Sequence, residues 1–207
     1  MAKSNNTRAG SNNRATPARR RDREVLEAAT KVFYEQGYSA ASVQDIADEL
    51  GILKGSVYHY IDTKEDLLVR LFEEVHEEVE RILEEVAALE GLKPLDRLAE
   101  YVRRQVEHNL DNLERITVYY HEIDRHSEEP RKAILRRRAV HNDFVLGLIR
   151  EAQEAGDADP DLDPKIAANC VFATIIWTYR WYRPGRWRRE SIAEQCAAFA
   201  VRGLRRS

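Results

Sequence analysis

Apolar residues recur in this chain at intervals of three and four along nearly its whole length. That is the period of an amphipathic helix, and no stretch alternates as a half-buried strand does. Val25, Ala29, Val32 and Phe33 form the first stripe and predict a helix over about 20–36, ended by Gly37. Val43, Ile46, Ala47 and Leu50 form the second. Ser42 opens that helix, Asp45 stands at the capping-box position and Gly51 breaks it. A short helix is expected over about 54–60. Thr63 and Asp66 then cap a long one reaching about Leu89, whose Leu68, Phe72, Val75, Val79, Ile82, Val86 and Leu89 step by four and three.

Beyond Gly91 the texture persists, punctuated by proline and glycine. Helices are predicted over about 94–110, 112–126, 130–155, 164–182 and 189–204, with a turn-rich DADPDLDP connector and a stop at Pro184–Gly185. There is no convincing strand and no internal repeat. The expected fold is all-α with about nine helices.

The stretch GILKGSVYHYIDTKEDLL (51–68) carries more rings and hydrogen-bonding groups than packing demands. A helix, a tight glycine turn and a second short helix make a helix-turn-helix, whose second helix can enter the DNA major groove. Leu53, Val57 and Tyr60 or Ile61 are expected to face inward. Lys54 and Tyr58, four apart, then share the outward side, with His59 beside Gly55. Lys54 suits a phosphate or a guanine edge, the Tyr58 hydroxyl a phosphate, and His59 a phosphate or a base edge. Gly55 lets a backbone approach closely and Ser56 can hydrogen-bond locally. Lys64, in the first turn of the next helix, opposes the helix dipole and suits a phosphate better. Periodicity by itself would equally allow a packed aromatic cluster.

Charge changes the picture by its placement. The net charge of −3 argues against a nucleic-acid partner. Yet Lys3, Arg8, Arg14, Arg19, Arg20, Arg21 and Arg23 face only Asp22 among the first 23 residues. Residues 1–18 have little to bury and read as a disordered basic arm, either touching DNA or solubilising the chain. No apolar run approaches the roughly 18 residues that span a bilayer, and the polar, basic N-terminus lacks a signal-peptide core. A cytoplasmic protein is expected. Cys170 and Cys196 lie in apolar stretches and read as buried small hydrophobes rather than a disulfide or metal pair.

The segment SVQDIADELGILKGSVYHYIDTKEDLL closely resembles the DNA-binding domain of TetR-family bacterial repressors, and EVLEAATKVFYEQGYSAAS resembles that domain's first helix. The resemblance covers about residues 20–70. It implies that Ser42, Lys54, Gly55, Ser56, Tyr58, His59 and Lys64 face DNA. Tyr60 stands where the family usually has a core phenylalanine and is assigned to packing. The implied organisation is a basic arm (1–18), a helix-turn-helix domain (19–66) and a helical ligand-binding and dimerisation domain (67–207).

In the second domain, IAANCVFATIIWTY (166–179) is apolar nearly all round and must be covered on most sides. The last helix offers Ile192, Cys196, Phe199 and Gly203 among small alanines. A homodimer through these two helices is expected, and with it a palindromic double-stranded operator. YRWYRPGRWRR (179–189) crowds five arginines and four aromatics at a helix end. Cations favour helix C-termini and arginines stack on rings. The same chemistry would suit the mouth of a site for an anionic, ring-bearing ligand such as a CoA thioester. TVYYHEIDR (117–125), DPDLDP and RWYRPGR look like a TetR subgroup that includes the actinobacterial steroid-ring catabolism repressor and other regulators of fatty-acid and steroid breakdown. That resemblance implies an acyl-CoA effector and no cofactor. Ala173 departs from it, standing where the steroid-linked relative is expected to carry an arginine. Tyr101, Tyr119, His121, Glu122, Trp177, Arg180, Trp181 and Arg183 are the candidate ligand residues. The alternatives are a hydrophobic effector without CoA and, distantly, a metal-dependent helical hydrolase at HEIDRH (121–126). There, His121 and His126 are five apart, about 140° around a helix, and do not share a metal easily.

Overall fold

The computed structural model describes residues 17–123 and 128–206. The expected basic arm lies almost wholly outside them, as does His126. Ten helical segments are described: α1 (Pro17–Gln36), α2 (Val43–Leu50), α3 (Lys54–Val57), α4 (Lys64–Ala87), α5 (Pro94–Asp111), α6 (Leu113–Glu122), α7 (Glu128–Glu154), α8 (Pro164–Ile176), α9 (Thr178–Trp181) and α10 (Arg189–Leu204). The fold is all-α, and among the described residues the one β pairing is an isolated bridge between Ala158 and Arg205. The stretch expected as one helix over 164–182 is divided at Trp177, which closes α8 and opens α9.

Local chemistry sets the first elements. The Ser42 hydroxyl accepts from the Asp45 N–H, and the Asp45 carboxylate accepts from the Ser42 N–H, closing both ends of the capping box on α2. Thr63 and Asp66 repeat the device on α4. Gly51, at φ 65°, takes the left-handed conformation that ends α2, one a side chain would strain. The Ile52 N–H then donates to the Ala47 carbonyl at 3.0 Å, so the chain turns sharply into α3.

Two apolar cores result. One joins Val25, Ile46, Val57, Leu68 and Phe72 of α1–α4 with Ile116, Val118 and Tyr119 of α6. The other joins Ile82 and Val86 at the far end of α4 with α5, α7, α8 and α10. Helix α4 runs through both. Helix α6 packs into the first core while flanking the second.

Two sequence expectations are corrected. Leu53 does not face inward: it is 80% exposed. It holds the N-cap position of α3 in an extended conformation, its carbonyl accepting from the Ser56 N–H at 2.8 Å. This turns Val57 and Ile61 into the core and Leu53 out. Cys170 is exposed rather than buried, and Cys196 is half-buried; both are free. The reason is that α8 buries only Ala167, Ala168, Val171 and Ile175 within this chain, leaving Ile166 and Trp177 on an uncovered face.

Candidate DNA-reading surface and effector cavity

On the reading surface, Ser42, Lys54, Gly55, Tyr58 and His59 are exposed, with Ser56 partly covered. Val57 and Ile61 anchor the segment below them. Gly55 is informative because the chain itself does not require it. A Cβ there would meet no atom within 4 Å, and its φ is not positive. Lys64 is differently engaged. Its ammonium donates to the Tyr38 and Ala41 carbonyls at 2.7 and 2.8 Å and lies 4.3 Å from the Tyr38 ring centre. It ties the turn between α1 and α2 to the start of α4, leaving one of its three protons for another acceptor. Tyr60 is half-buried against the first core, as a packing residue should be.

A cavity of about 1090 Å³ lies between α4, α5, α6, α7, α8 and α10. Four of the sequence candidates line it: Tyr101, Tyr119, Trp177 and Trp181. His121, Arg180 and Arg183 do not. They gather in a separate hollow of about 340 Å³ with Tyr34 of α1 and Tyr179. The Arg180 guanidinium lies 3.4 Å from His121 Nε2, while Arg183 donates to the carbonyls of Arg180 and Tyr182. Glu122 lines neither space and is buried.

The cavity also holds groups that the sequence does not single out. His76, Gln105, Asn109, Arg138 and His141 all line it. Their signal is faint: one histidine beside the α4 seam and one arginine in a run of three. Burial, reinforced by Arg137, pushes His76 down to about 4, and burial likewise lowers His141. At neutral pH both imidazoles are therefore uncharged. His76 Nε2 lies 3.2 Å from the Tyr119 hydroxyl. Burial also raises Tyr101, and raises Tyr120 to about 12. Apart from the exposed Arg138, the wall is thus apolar with neutral hydrogen-bonding groups, a setting for an uncharged, partly polar body.

A chain of ring contacts leaves this wall. Tyr119 meets Phe72 of the first core at 5.1 Å and Tyr120 at 5.0 Å, and Tyr120 stacks on Tyr179 of α9 at 5.4 Å. The cavity and the DNA-reading core therefore share side chains.

A helix-turn-helix head joined through shared helices to a cavity-bearing helical body has the layout of a DNA-binding regulator. The profile of the tetR family of bacterial regulatory proteins matches residues 25–71, and that of the tetracyclin repressor-like C-terminal domain matches residues 91–204. The chain belongs to the TetR family, as a helix-turn-helix DNA-binding transcriptional repressor and not an enzyme. It is 27% identical to the repressor KstR2 of Mycolicibacterium smegmatis across 92% of this chain and 93% of that one. It is also 27% identical to the fatty acid metabolism regulator protein of Bacillus subtilis, over 73% of this chain and 78% of the relative. Among solved structures, the ketosteroid transcriptional regulator KstR2 of Mycobacterium tuberculosis superposes with a TM-score of 0.85 at 27% identity, covering 90% of this chain and 96% of that one. AibR in complex with isovaleryl coenzyme A and operator DNA superposes with a TM-score of 0.77 at 26% identity, covering 86% and 97%.

Proposed function

We propose that this repressor is released from a palindromic operator by an acyl-CoA thioester from fatty-acid or steroid breakdown. The carrying observation is the cavity walled by α4 and α6, whose Val75, Val79, Ile116 and Tyr119 line it and also belong to the DNA-reading core. Its volume suits a bulky acyl group. Trp177 and Trp181 offer ring faces to an adenine, and Arg138 offers a cation to a phosphate. AibR, similar in fold, is recorded with a CoA ester and operator DNA.

The working unit is a cytoplasmic homodimer with no cofactor. Ile166 and Phe199 are 66% and 72% exposed in the single chain, and a second copy covers them. The N-terminal arm, a helix-turn-helix head to residue 66 and an effector and dimer body beyond it form each subunit. Ser42, Lys54, Gly55, Ser56, Tyr58, His59 and one proton of Lys64 meet DNA. Ligand favours a tilt of α4 that misaligns the two heads. A release of this kind needs differential affinity; about 100-fold tighter binding to the released state corresponds to roughly 2.7 kcal/mol.

A second reading, a hydrophobic effector without CoA, is favoured by one observation. Arg180 and Arg183 turn toward α1 rather than into the cavity, and Ala173 lines it without a charge. The test is binding of the protein to its own upstream DNA, with and without a panel of CoA esters and their free acids. Salt-sensitive binding lost with one ester but not its acid supports the first reading. Release by the acid alone supports the second.

A further inference from the structure

Most of the large exposed apolar side chains of the body have an account. Ile166 and Phe199 lie on the face assigned to a second copy, Trp177 and Trp181 border the cavity, and Trp187 is covered by the Arg186 guanidinium 4.1 Å from its ring centre. Leu53, the most exposed of the large apolar side chains, has none. A single exposed leucine on an ordinary surface calls for no explanation. Leu53, however, stands at the head of the helix that enters the groove, beside Lys54 and at the opposite end of the short helix from Tyr58. Its position is fixed from both sides. Ile52 packs against the first core, Val57 is fully buried, and the Leu53 carbonyl accepts the Ser56 N–H. The side chain has no route inward.

We propose that Leu53 is a specificity residue that reads the C5-methyl group of a thymine in each half-site. An aliphatic side chain neither donates nor accepts a hydrogen bond. Against the guanine O6 and N7 acceptors or the cytosine amino group it would strip water and return nothing. Among the four bases only thymine presents a methyl group in the major groove. The leucine therefore selects for that base, both by the contact it makes and by the desolvation it imposes on the others. This inference rests on the DNA-binding reading of the head and not on the identity of the effector.

The test begins with selection of duplexes from a randomised pool by the wild-type protein and by Leu53→Ala. The wild-type protein enriches a thymine at one symmetric position of each half-site, and Leu53→Ala relaxes that position while keeping the others. Deoxyuridine, which lacks only the methyl group, is then placed there. Wild-type affinity falls about fourfold per half-site and about fifteenfold for both, the worth of one buried methyl each. Leu53→Ala binds the thymine and deoxyuridine duplexes equally, and Leu53→Met restores part of the difference. Replacing that thymine by 5-methylcytosine costs the wild-type protein less than replacing it by cytosine. The proposal is overturned if both proteins enrich the same thymines, or if deoxyuridine weakens both by the same factor. Failure of the wild-type protein to select any duplex would overturn the DNA-binding reading along with it.

Discussion

The head and the body of this repressor solve opposite problems with the same element. In the head, apolar side chains turn inward and polar ones outward, so Lys54, Tyr58 and His59 stand ready for a charged partner already surrounded by water. In the body, His76 and His141 are buried and neutral, and apart from the exposed Arg138 they face a cavity lined chiefly by apolar side chains and neutral polar groups. The head gains from charge and loses with salt. The body gains from desolvation. Their difference explains how one chain holds two partners without confusing them. The helices α4 and α6, common to both, explain how one partner can influence the other.

Substitutions can break that comparison in a graded way. The largest effect is expected in the head core. Ile46 is fully buried, so Ile46→Ala should cost about 2–5 kcal/mol and abolish operator binding by unfolding the head, as read by denaturant melting alongside DNA binding. In the body, acid should reveal the buried imidazole. The unfolded His76 titrates near 6.5 and the folded one near 4. Between those values the unfolded chain binds more protons. Stability from His76 is therefore full above pH 6.5 and declines as pH falls toward 4, by up to about 3 kcal/mol. Denaturation at pH 7 and pH 4.5 should show this loss, and His76→Gln should show less of it.

Smaller changes separate function from stability. Gly55→Ala meets open space and should leave stability unchanged or raise it by up to about 1 kcal/mol. Operator affinity should nonetheless fall at least about tenfold, about 1.4 kcal/mol, because the added methyl stands between the helix and DNA. Lys64→Met removes two hydrogen bonds to the Tyr38 and Ala41 carbonyls and should cost about 1 kcal/mol of stability. A drop in operator affinity without any loss of stability would assign Lys64 to DNA alone.

Periodicity, caps and glycines make the helices legible in the sequence, because each depends on neighbours within a turn or two. Ser42–Asp45 and Thr63–Asp66 are wholly local devices. The cavity is only half legible there because it is assembled by helices distant along the chain. Trp177 and Trp181 border it while Arg180, between them, points away, since successive residues at a helix end project about 100° apart. His76 and His141 lie 65 positions apart and meet with ring centres 6.2 Å from each other; nothing local announces such a pair. Leu53 misleads for a related reason. A three- or four-residue spacing assigns an inward face only where the helix has begun, and Leu53 precedes its first turn.

The central claim is that cavity and head are coupled through α4 and α6. The direct measurement is calorimetric titration of the releasing CoA ester into the free protein and into the protein saturated with operator. The account predicts affinity about 100-fold weaker in the operator complex, with operator affinity reduced by the same factor when ester is saturating. Equal ester affinity with and without operator would contradict it, leaving the cavity and the reading head as two independent sites on one chain.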